Sequence, residues 1–95
     1  MSFLEELGFS KEVIAEMEST FPETVISKMI KYQDIAICNI NYLKELGVPN
    51  YVEAFKNYYN MFFIDASQFR AIFEKYNKED LIEKLENNIA LIEFL

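Results

Sequence analysis

Paired carboxylates are the side chains here whose types and spacing could do chemistry: Glu5 with Glu6, Glu16 with Glu18, Glu79 with Asp80, and Glu83 with Glu86. Two neighbouring carboxylates can divide acid and base roles or hold a divalent cation. Each pair falls in a stretch of helical periodicity and reads as a water-facing helix side. Lysines stand near at helical spacing, as with Glu53 and Lys56, or Glu79 and the turn of Lys84. No Asp-x-Asp-x-Asp-Gly loop is present, which excludes an EF-hand, and neither Gly8 nor Gly47 has the second glycine of a phosphate loop nearby. The chain has no histidine, so Cys38 or a serine lacks the base that usually activates it. Cys38 closes the apolar run Ile35-Ala36-Ile37-Cys38 and is expected to be a buried small hydrophobe. The sequence therefore carries no catalytic, metal-ligating or cofactor-binding set, and a non-enzymatic protein is expected.

Binding chemistry is better represented. Tyr51, Phe55, Tyr58, Tyr59, Phe62 and Phe63 recur with Val52, Ala54 and Met61 along one predicted helix. Its apolar arc is roughly 200° wide, about twice an ordinary core stripe. Such a helix is either buried on two sides or presents one edge, around Tyr58 and Met61, to a partner. The candidate interaction surface is Tyr51, Phe55, Tyr58, Tyr59, Met61 and Phe62, with Phe94 at the far end of the chain.

Charge narrows the partner. The net charge is −7, and Arg70 is the one arginine. The lysines are scattered: Lys11, Lys28, Lys31, Lys44, Lys56, Lys75, Lys78 and Lys84. Nucleic-acid affinity comes largely from clustered basic residues that neutralise phosphates, and anionic membranes ask for the same. Both are disfavoured, as is base stacking on the aromatics without interleaved lysine or arginine. An unidentified protein partner of basic character fits the acidity better.

The elements that must position these residues are helical. Hydrophobic residues make up 52% of the chain, while there are only two glycines and two prolines, too few for the many turns of an all-β domain. The phrase Phe3-Leu4-Glu5-Glu6-Leu7-Gly8-Phe9 recurs as Tyr42-Leu43-Lys44-Glu45-Leu46-Gly47-Val48. Each reads as a helix closed by a glycine at positive φ. Ser2 and Ser10 are expected caps. Thr20 with Glu23, and Asp65 with Gln68, read as capping boxes. A break is predicted at Tyr32-Gln33-Asp34, where Asp34 could cap the new helix; so are a continuous helix from Tyr51 to about Phe62 and a last helix, capped by Asn77, from Lys78 to the C-terminus. The expected fold is all-α: a compact single domain, residues 1–95, of five to six short helices in two imperfect repeat units, residues 3–41 and 42–90.

This phrase pattern resembles the helical repeats of the mitochondrial transcription termination factor family. There a leucine-rich helix ending in Leu-x-x-Gly-Val or similar leads to a second helix, a proline-containing turn and a third segment. The first unit matches with Leu4 to Phe9, Ile14, Phe21-Pro22 and Ile26; the second with Leu43 to Val48, Val52, Phe55 and Asn60 to Phe63. The resemblance implies a helical solenoid and a nucleic-acid-associated, transcription-factor-like role, the alternative to the interaction-module reading. Asn60 stands where the second unit would have its proline, and the basic surface that serves the family's binding is missing. Leu43 to Phe55 also looks like the opening of a sterile alpha motif domain, with Asn77 to Leu81 resembling its later Thr-x-x-Asp-Leu segment. That resemblance likewise implies a helical interaction module.

The opening Met1-Ser2-Phe3-Leu4-Glu5-Glu6 has no basic or apolar leader, and with a lone free cysteine a cytoplasmic protein is expected. A monomer is favoured over a homodimer, with Ile92 and Leu95 closing the core and Phe94 partly exposed.

Overall fold

Short polar residues and the two glycines set most helix boundaries in the computed structural model, which describes residues 1–95. The helices are α1 (Phe3–Glu6), α2 (Lys11–Thr20), α3 (Glu23–Lys31), α4 (Gln33–Leu46), α5 (Tyr51–Tyr58), α6 (Ala66–Glu74) and α7 (Lys78–Asn87). A 3-10 turn (Tyr59–Phe63) links α5 to α6, and a terminal 3-10 helix (Ile89–Phe94) follows α7. The fold is all-α and contains no strand. Ser10, Asp65 and Asn77 cap their helices, accepting from the backbone N–H of Val13, Ser67 and Asp80 at 3.2, 3.1 and 3.1 Å, but the Gln68 side chain does not return a bond to Asp65, so the predicted capping box there is a simple cap.

Helix α4 is the hub, touching α1, α3, α5, α6 and the 3-10 turn. Its buried residues Ala36, Asn39, Ile40 and Leu43 follow three- and four-residue spacing, which turns one stripe inward. A row of rings runs through the same core. Phe9 meets Phe55 at 5.8 Å, Phe55 meets Phe62 at 5.2 Å, Phe62 meets Phe69 at 5.2 Å, and Phe69 meets Phe73 at 5.0 Å between centroids. These separations are those of favourable edge-to-face and tilted aromatic pairs. The row ties the end of α1 to α5, the 3-10 turn and α6.

The two glycine stops share one geometry. Gly8 has φ 98° and Gly47 φ 102°. The N–H of Gly8 reaches Glu5 O at 3.1 Å and that of Phe9 reaches Leu4 O at 3.1 Å; Gly47 and Val48 reach Lys44 O and Leu43 O at 3.1 and 3.2 Å. Both are Schellman closures, with Phe9 over Leu4 and Val48 over Leu43 as the accompanying buried apolar pairs. Their surroundings differ. The Tyr51 hydroxyl donates to Leu7 O at 2.7 Å and lies directly over Gly8, whereas a Cβ on Gly47 would meet only Ile82 Cδ1, at 3.4 Å.

Several expectations need correction. Thr20 does not cap α3: its hydroxyl donates back to Glu16 O at 2.8 Å inside α2, and Pro22 takes the N-cap position. Ser2 makes no side-chain cap bond. The break between α3 and α4 falls within the predicted stretch, at Tyr32 (φ −107°, ψ 26°), but Asp34 does not cap α4 and lies within its first turn. The aromatic helix is not continuous: Tyr58 departs to φ −133°, ψ 40°, and a 3-10 turn comes next. The last helix stops at Asn87, because Asn88 is extended and its side chain accepts from Ala90 N at 3.2 Å, opening a 3-10 helix. Cys38 is exposed rather than buried, since the inward stripe of α4 passes through Ala36, Asn39 and Ile40 on either side of it. Lys56 pairs with Glu16 at 2.7 Å, across helices, in place of Glu53.

Gly47→Ala is expected to destabilise by roughly 1–2 kcal/mol, the cost of a left-handed backbone with a Cβ. Gly8→Ala should cost more, because its Cβ also strikes the Tyr51 hydroxyl. In a Tyr51→Phe background the two substitutions should cost about the same. Urea unfolding of the four variants checks the ordering.

Candidate docking groove

The largest hollow of the surface, about 440 Å³, lies where α3, the start of α4 and the 3-10 turn converge. Helix α3 contributes Val25, Lys28 and Met29; the α3–α4 corner contributes Tyr32 and Ile35; the 3-10 turn contributes Tyr59, Asn60 and Phe63. Met29 is buried, so the hollow opens from the core outward. The corner is made within one residue. Tyr32 N–H donates to Lys28 O at 2.9 Å, closing α3, while Tyr32 O accepts from Ile35 N at 3.2 Å, opening α4. Gln33 Nε2 donates to Ile30 O at 3.0 Å and fixes the bend from its outer side. The facing wall is held from inside the protein. The buried Asn39 Nδ2 donates to Phe62 O at 2.8 Å and to Ile64 O at 3.0 Å. Phe21, at the end of α2, backs Tyr59 at 5.1 Å between ring centroids.

The groove is apolar and carries one lining charge, Lys28. The Lys31 ammonium lies 5.4 Å from the Tyr32 ring centre, a cation–π arrangement at the rim. The lining residues Tyr32 and Ile35 are 44% and 37% exposed, large apolar side chains at the α3–α4 corner. The two groups with displaced pKa values stand elsewhere. Burial, followed by the Glu74 carboxylate, raises the Tyr42 hydroxyl against the opposing Arg70 guanidinium, and hydrogen bonds from Ser67 hold the Asp65 carboxyl below the usual aspartate range. No group of three or more histidine, cysteine or acidic residues is gathered as a metal ion would need. No helix is long and apolar enough to cross a membrane.

The residues picked from the sequence divide into four places. Phe55 and Phe62 are wholly buried in the aromatic row and offer no surface. Tyr51 is half-buried against Gly8 and the end of α1. Tyr58 and Met61 line a neighbouring cleft of about 330 Å³ with Ile72, Ile92 and Leu95, and Tyr59 lies on the ridge between that cleft and the groove. Phe94 stands apart at 80% exposure, further out than expected, and Ile92 alone of the terminal segment is fully in the core. The sequence does not single out the groove residues Val25, Met29, Tyr32 and Ile35 as surface. Their one signal there is the surplus of apolar residues beyond one stripe on α3, with Ile35 off the inward stripe of α4.

Comparison with known protein families, curated proteins and solved structures returns no match. The groove must be read from its own residues.

Phe55→Ala is expected to lose about 3–5 kcal/mol of stability, as for a phenyl ring removed from a packed core. Phe94→Ser should stay within about 0.5 kcal/mol of the parent, as an exposed substitution does. Denaturant unfolding of both separates core aromatics from surface aromatics.

Proposed function

We propose that this chain is a small, acidic, non-enzymatic protein-interaction module whose docking face is the groove between α3, α4 and the 3-10 turn. The observation that carries the reading is the groove itself, lined by Val25, Met29, Tyr32, Ile35, Tyr59 and Phe63. Contiguous apolar surface of this kind marks interaction sites on proteins, and tyrosine, phenylalanine and methionine are enriched at the centres of interfaces. The basic residues are spread over α2, α3, α4, α5, α6 and α7, which favours a protein partner over a phosphate backbone. The lone lining charge, Lys28, favours an occupant with apolar and acidic side chains over the basic partner that net charge alone suggests. Two repeat units are part of the same proposal, supported by the shared geometry of the Gly8 and Gly47 closures. So is a cytoplasmic setting, with which the exposed free thiol of Cys38 is compatible.

Site-specific photo-crosslinking in the cells of origin tests the docking face. A photoreactive residue in place of Ile35 is expected to give one or a few discrete adducts, and the same residue in place of the exposed Glu45, at the other end of α4, none. No adduct from position 35, or the same pattern from both positions, would count against the groove.

A further inference from the structure

We infer that the groove's occupant is a second copy of this chain, each copy placing Phe94 in the groove of the other. The inference rests on the docking reading and names the partner for it.

Four observations lead there. Phe94 is the most exposed large apolar side chain of the molecule, and in its own fold it only borders a hollow with Tyr76 and Leu91. Leu91, three residues earlier in the terminal 3-10 helix and so on the same side, is also exposed, as is the adjacent Tyr76. The groove offers what a phenyl ring packs against: a hollow of about 440 Å³ with Tyr32, Tyr59 and Phe63 as edge and face partners. Charge matches as well. Lys28 lines the groove, and the exposed Glu93 precedes Phe94.

The fourth observation concerns symmetry. Tyr59 and Asn60 wall the groove on one side, and on the other they wall the cleft formed with Ile92, Glu93 and Leu95. Groove and terminal segment are therefore neighbours across a single ridge, with Phe94 on the other side of that segment, beside Tyr76 and Leu91. A molecule bearing both a projection and its receptacle can close on itself about a two-fold axis, so that one contact occurs twice and no open chain results. The net charge of −7 on each copy opposes association at long range. The dimer is accordingly expected at physiological salt, where that repulsion is screened, and at higher protein concentration.

Sedimentation equilibrium on the full chain, from low micromolar to near-millimolar concentration, tests it. The parent should pass from monomer to dimer. Phe94→Ser, which removes the projection, and Ile35→Asp, which spoils the receptacle, should each weaken dimerisation by roughly tenfold or more, as loss of a central interface anchor does. Circular dichroism of each variant confirms that it is folded. The decisive sample is the equimolar mixture. Phe94→Ser keeps its groove and Ile35→Asp keeps its Phe94, so the mixture should associate more strongly than either variant alone. A parent that is monomeric throughout, a dimer that survives either substitution, or a mixture no stronger than its components would overturn the inference. A monomeric parent whose position-35 crosslinker still captures a different protein would overturn this inference and leave the docking reading standing; a parent that neither dimerises nor crosslinks would remove both.

Discussion

The side-chain amide of Asn39 holds the least regular part of this molecule in place. Its one nitrogen donates to two backbone carbonyls, of Phe62 and Ile64, from a site that is 1% exposed. Those carbonyls belong to the stretch where helix α5 gives way to a 3-10 turn and then to the extended Ile64, so no longer helix supplies their partners. A buried carbonyl left unpaired costs about 1–3 kcal/mol, a penalty that Asn39 removes at Phe62 while also pairing the partly buried carbonyl of Ile64. It is the only polar residue among those buried, and α4, which carries it, is the helix the other elements share.

That clamp shapes both the packing and the surface. Anchoring residues 62 and 64 sets Phe62 between Phe55 and Phe69 in the aromatic row. It also turns Tyr59 and Phe63 toward α3, where with Met29 and Tyr32 they form the groove. The core and the candidate docking face are thus two sides of one short segment. The 3-10 turn exists because Tyr58 leaves helical geometry, and it stays because Asn39 satisfies what that departure exposes. Tyr51 and Asn50 do comparable work at the far side of α5, donating to Leu7 O at 2.7 Å and Leu85 O at 2.8 Å, so that α5 is tied to α1 and α7.

Much of this arrangement is legible in the local chemistry of the sequence. Ser10, Asp65 and Asn77 cap the helices they precede, and both glycines close helices at positive φ, because these effects depend on a few consecutive residues. Thr20 is ambiguous for a physical reason: a hydroxyl can bond forward as a cap or back to the preceding turn, and here it does the latter. The end of α5 is hidden because Tyr58-Tyr59-Asn60 contains neither glycine nor proline, and the group that stabilises the departure lies on another helix, at Asn39. The groove is hidden for the same reason. Residues 25–35 and 59–63 converge only once α4 and the 3-10 turn are docked, and no periodicity within either segment announces the other. Apolar pattern sets Phe94 off its stripe and so toward water, but it could not place Phe55 wholly inside, because the apolar arc around Phe55 is too wide to mark one buried side.

The central claim is that Asn39 holds the 3-10 turn, and with it the groove wall, from within α4. Native-state hydrogen exchange on Asn39→Leu, a substitution of similar size that leaves the carbonyls of Phe62 and Ile64 without donors, tests it most directly. The account predicts that amides of residues 59–64 lose protection well beyond any loss in α1, α2 and α7. A uniform loss across all helices, or protection of residues 59–64 that matches the parent, would contradict it.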